Sequence, residues 1–87
     1  MANELQIMDN AIRNVKETLL FQKEERDRLL TLFRIRASHV EPEEIGCLMR
    51  QAEELRAAHE KMLCTHRILE NLVSVKSKMT RPSLPQD

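Results

Sequence analysis

Two heptad patterns flank Pro42, and a chain patterned in this way folds into a pair of long amphipathic helices. In the first half, Leu5, Met8, Ile12, Val15, Leu19, Leu29 and Phe33 recur at alternating steps of three and four, with Gln22 and Arg26 filling the seam positions between them. In the second half, Ile45, Leu48, Ala52, Leu55, Met62, Leu69 and Val73 repeat the spacing, with His59 and His66 in the gaps. Such spacing puts each set on one face of a helix. With one Gly, three Pro, no Trp, no Tyr and two Phe in 87 residues, the chain lacks the aromatic and β-branched runs of a sheet. The fold class expected is all-α: a long antiparallel helical hairpin, coiled-coil-like, completed to a bundle by a second copy or a partner.

The first helix is expected from about residue 3, where Asn3 is a good cap, to about residue 36, with Arg34 and Arg36 suiting its negative end. Opposite charges four apart, such as Asp9 with Arg13, Arg13 with Glu17, Lys23 with Asp27 and Glu24 with Arg28, would support its solvent face. Residues 37–41 form the turn. Pro42 followed by Glu43 and Glu44 reads as the start of a second helix running to about residue 78 and accepting Gly46 near its beginning. A short turn makes the arms antiparallel. Residues 1–79 thus form one hairpin domain. Residues 80–87, with Pro82 and Pro85, are expected to be a disordered tail, its Pro-x-x-Pro spacing too short a pattern to mark a ligand.

Lys plus Arg equals Asp plus Glu at 14 each, so no net field draws the chain onto nucleic acid, and no nucleic-acid partner is expected. Neither a basic n-region with an apolar h-region nor a stretch of roughly 18 apolar residues is visible, and position 2 is not Gly, so a cytoplasmic protein without membrane insertion is expected. Cys47 and Cys64 lie seventeen residues apart on the second helix, about 25 Å along its axis, too far to bridge. Two buried or half-buried reduced thiols are the expectation.

His59 and His66 are the sharpest candidates for chemistry. Their seven-residue spacing separates them by about 10.5 Å, whereas two ligands to one ion from one helix sit three or four residues apart. No metal site is expected; seam imidazoles would instead loosen the pair in mild acid, because burial disfavours their charged form. Gln22 and Arg26 read as register devices, or Arg26 as a side chain reaching out from the edge of the seam. No Gly-rich phosphate loop and no nucleophile with a base at fixed spacing is present, so the chain is read as no enzyme, with no catalytic residue, no cofactor and no small-molecule ligand.

A two-helix hairpin barely offsets its conformational entropy, and apolar residues outside the seams widen both arms. On this reading Leu19, Leu29, Phe33, Leu48, Leu55, Met62 and Leu69 hold the hairpin together, and the partner-binding set is Leu20, Phe21, Leu30, Leu32, Leu63 and Leu72. The layout, with a second arm reading from Glu44 through Ile45, Gly46, Cys47, Leu48 and Met49 to Leu55, Arg56, Ala57 and Ala58, resembles the small helical-hairpin co-chaperones of bacterial type III secretion systems. That resemblance, over about residues 8–73, implies a hairpin packed on a helical-repeat chaperone, the pair keeping a secreted needle subunit from polymerising in the cytoplasm. Two readings carry comparable weight: a small chaperone or adaptor that shields a partner's apolar surface, and a self-dimerising structural coiled-coil subunit of a larger assembly. A nucleic-acid-linked regulator or an enzyme ranks below both.

Overall fold

The structure, a computed structural model, describes residues 3–80. Helix α1 spans Glu4–Ala37, a single 3-10 turn spans Pro42–Glu44, and helix α2 spans Ile45–Thr80. The described residues contain no strand, and the two helices pack against each other as an antiparallel hairpin. The bounds of α1 fall within one residue of those read from the sequence, while α2 begins three residues later than expected, after the 3-10 turn at Pro42, and ends two later, at Thr80, where the tail was expected to begin; residues 81–87 lie outside the described residues.

Local chemistry sets the ends. The Asn3 Oδ1 accepts the Gln6 backbone N–H at 2.8 Å, satisfying one of the free donors of the first turn of α1. At the other end the Ser38 and His39 N–H groups donate to the carbonyls of Arg34 and Arg36, closing the last turn. Pro42 then starts the return, and Glu44 pins it from two sides: its Oε1 accepts the Glu41 N–H at 3.1 Å, and its Oε2 accepts Arg36 Nη1 at 3.3 Å.

Two contacts fix the register along the arms. Lys76 Nζ pairs with Asp9 Oδ1 at 2.6 Å, and Arg26 Nη1 lies 3.1 Å from His59 Nδ1. Arg26 follows Asp9 by 17 residues and His59 precedes Lys76 by 17, so the antiparallel match runs without a slip. Counted from those contacts, the inward residues fall within one position of level, Ile12 with Leu72, Val15 with Leu69, Leu19 with Thr65, Gln22 with Met62 and Leu29 with Leu55. Among the described residues the buried apolar side chains are Ile12, Leu19 and Met62.

The α1 seam follows the sequence pattern from Met8 to Phe33, while Leu5, at the open end, is exposed. On α2 the pattern was read one column off. Leu48, Leu55, Met62 and Leu69 do face α1, but the alternating positions are filled by Gln51, Ala58, Thr65 and Leu72. Of the residues expected there, Ile45, His59, His66 and Val73 are exposed and Ala52 is only half-buried at the rim. The seam histidines and the acid loosening built on their burial are therefore corrected. So are the thiols: Cys47 and Cys64 are both exposed.

Surface ion pairs also differ from those expected. Asp9 reaches across to Lys76 instead of along to Arg13, Asp27 pairs with Arg26 instead of Lys23, and Arg28 pairs with Glu25 instead of Glu24.

Candidate functional site

The hairpin is one helix layer thick. Its smallest dimension is 15 Å, close to the diameter of a single α-helix with side chains, so nothing covers either broad side. The accessible surface of 7080 Å² compares with about 5,300 Å² for a globular protein of 10.2 kDa. Large apolar side chains stand exposed along the hairpin, most of them on two faces.

One face is marked by Phe21. It joins Ile7 and Ile35, each fourteen residues from Phe21 on α1, to Leu32; from α2 it takes Cys47, Cys64, Ile68 and Val75. Phe21 is 68 % exposed, the most open large apolar side chain of the hairpin. Its ring sits beside Gln22, Glu25, Ala58 and Lys61. Glu25 is held below the usual carboxylate value by a hydrogen bond from Arg28, with the charges of Arg28 and Lys61 adding to the effect; Arg28 is raised by Glu25 first and by Glu54 more weakly. The middle of this face thus carries two acids and two bases, Glu25 and Arg28 on α1 with Glu54 and Lys61 on α2.

The opposite face is marked by Leu63. It carries Leu20, Ile45, Met49 and Val73, together with His59 and His66. A shallow groove of about 370 Å³ runs along it, lined by Arg26, Leu30, Ala52, Leu55, Arg56 and His59. Arg56 is fixed between Glu53 and Glu60, which raise its guanidinium, and its hydrogen bond in turn holds Glu53 low. His66 Nδ1 lies 3.6 Å from Glu70 on the same rim.

The six residues expected to meet a partner are therefore not one patch. Leu20, Leu30 and Leu63 belong to the Leu63 face, Phe21 and Leu32 to the Phe21 face, and Leu72 is a half-buried seam residue level with Ile12. Sequence reading missed Ile7 and Ile68, and it left Ile35 and Val75, which it counts among the residues that widen the two arms, out of the partner-binding set; the signal was their spacing by multiples of seven. Among the described residues no three His, Cys, Asp or Glu side chains converge as a metal site would require, and no helix is long and apolar enough to cross a membrane.

These features define the class: a two-helix antiparallel hairpin open on both sides. Comparison with protein-family models, with curated proteins and with solved structures finds no match to this chain.

Proposed function

We propose that this chain is a non-enzymatic protein–protein interaction module, a small chaperone or adaptor that shields an apolar surface of another protein. The observation that supports it is the imbalance between three buried apolar residues and the large apolar side chains, such as Leu20, Phe21, Ile35, Met49 and Leu63, left on two open faces. Exposed apolar surface of this extent on a small monomer marks a place of contact. An amphipathic helix is the natural occupant of a groove between two parallel ridges, and the groove along Leu30, Ala52 and Leu55 has that form.

A narrower reading, in which the partner is a helical-repeat chaperone or a secreted needle-type subunit in the cytoplasm, rests on the resemblance of the hairpin layout and of the α2 opening stretch. Co-purification with such proteins tests it. The runner-up, a self-dimerising structural subunit, is favoured by the balanced charges on the Phe21 face.

The broad proposal is tested by light scattering of an aggregation-prone amphipathic helical peptide mixed with the purified chain. Shielding keeps the peptide in solution, and Leu20→Asp with Leu63→Asp removes that protection while circular dichroism stays helical. A chain that leaves the peptide's aggregation unchanged is not a shield.

A further inference from the structure

The two faces differ in what they can accept. A two-fold axis parallel to the hairpin's length lays α1 of one copy over α2 of another, antiparallel and at the same level. Residues that are level across the seam within one chain are then level between copies. On the Phe21 face this sets Glu25 over Lys61 and Arg28 over Glu54, acid on base in both layers. Phe21 falls over Cys64, whose polarisable sulfur suits an aromatic ring. Toward the ends Ile7 meets Val75 and Ile35 meets Cys47, all of them exposed in one chain.

The same operation on the Leu63 face sets Lys23 over His59 and Lys16 over His66, base on base, beside the acid-on-base pair of Asp9 and Lys76 toward the open end, so its charges match less well than those of the Phe21 face. Area points the same way. Two helices about 50 Å long and together about 20 Å wide offer roughly 1,000 Å², and a stable interface takes about 800 Å² from each partner.

We propose that the Phe21 face is the dimer interface, occupied by a second copy of this chain in a four-helix bundle with the two-fold along the hairpin, leaving the Leu63 face for the shielded partner. The inference rests on the reading that protein covers the open faces. All four helices then have antiparallel neighbours, as in an up-and-down bundle. The ring of Phe21 and both thiols pass from solvent into the interface.

The test is sedimentation equilibrium of the full chain and of charge-reversed variants, with circular dichroism on each sample. The wild-type chain is expected to be a dimer. Glu25→Lys alone and Lys61→Glu alone each place like charges between copies and are expected to weaken dimerisation roughly tenfold or more. Mixed together, the two variants restore dimer mass. In the mixed pair the lysine introduced at position 25 of one chain lies over the glutamate introduced at position 61 of the other, and the unchanged Lys61 of the first lies over the unchanged Glu25 of the second. A role confined to one chain gives no gain on mixing. Phe21→Asp is expected to give a helical monomer, and Leu63→Asp a dimer.

Dissociation by Leu63→Asp but not by Phe21→Asp overturns the face, and mixing without gain overturns the two-fold. A wild-type chain that stays monomeric across a hundredfold concentration range overturns the dimer while leaving the peptide-shielding assay to judge the interaction module on its own.

Discussion

Leu72→Ala and Val73→Ala, compared side by side, test which column of α2 faces α1. Leu72 is half-buried and level with the buried Ile12, whereas Val73 is 46 % exposed. Truncating a fully buried Leu to Ala removes about 2–5 kcal/mol, and a seam open to water along both edges places Leu72 at the lower end, about 2 kcal/mol. Val73→Ala loses little contact and gains several tenths of a kcal/mol in helix propensity, so its net effect falls within about 0.5 kcal/mol of zero. A domain of this size shifts its Tm by about 4–8 °C per kcal/mol, which makes the expected drop for Leu72→Ala roughly 10 °C and that for Val73→Ala nearly nil. Neither residue lies on the Phe21 face, so self-association does not enter the comparison. The assay is thermal melting followed by circular dichroism at one fixed protein concentration. A Val73→Ala chain that melts as low as, or lower than, Leu72→Ala refutes the seam described above.

Three further outcomes are expected. Gly46→Ala should raise stability by about 0.5–1 kcal/mol in a urea titration, because a Cβ there meets nothing within 4 Å and Ala orders the second helix at lower entropic cost. Gln51→Leu should stabilise the hairpin by about 1 kcal/mol, since the Gln51 Oε1 is buried without a protein hydrogen-bond partner, as is that of Gln22; an equal loss would show that this amide is paired in solution. With pH, the lowered carboxyls of Glu25 and Glu53 contribute stability that is fully present above their ordinary value of 4.5 and is lost as pH falls through their lowered values. The Tm should therefore hold between about pH 7.5 and 5.5 and decline only below about 4.5, modestly, because both pairs are exposed.

Helix number, length, polarity of the turn and the α1 seam were legible from letters because each is a local property. Asn3 caps, Pro42 starts a turn of helix, and α1 has one apolar column pair that its neighbours do not imitate. On α2 the column Ile45, Ala52, His59, His66 and Val73 is as apolar as Gln51, Ala58, Thr65 and Leu72, so periodicity within the helix has two solutions. The choice is visible only once α1 is in place: Thr65 and Leu72 face inward, with His59 at the rim beside Arg26 and Lys76 beside Asp9. The division of Leu20 from Phe21, adjacent in sequence yet on opposite faces, needed the same rotation to be known. Charge pairing was unreadable for a related reason, since the partner of Asp9 is 67 positions away.

The Glu44 pin has a consequence for how the chain reaches this form. Its link to Arg36 closes a loop of eight positions, the Arg26–His59 contact one of 33 and the Asp9–Lys76 pair one of 67, and the entropy of closing each grows with the logarithm of its length. Once the turn has closed, every later layer adds only a short loop to those already formed. The hairpin is therefore expected to zip from the Glu44 end, and amide hydrogen exchange should find the last layers to join, around Asp9 and Lys76, the first to open.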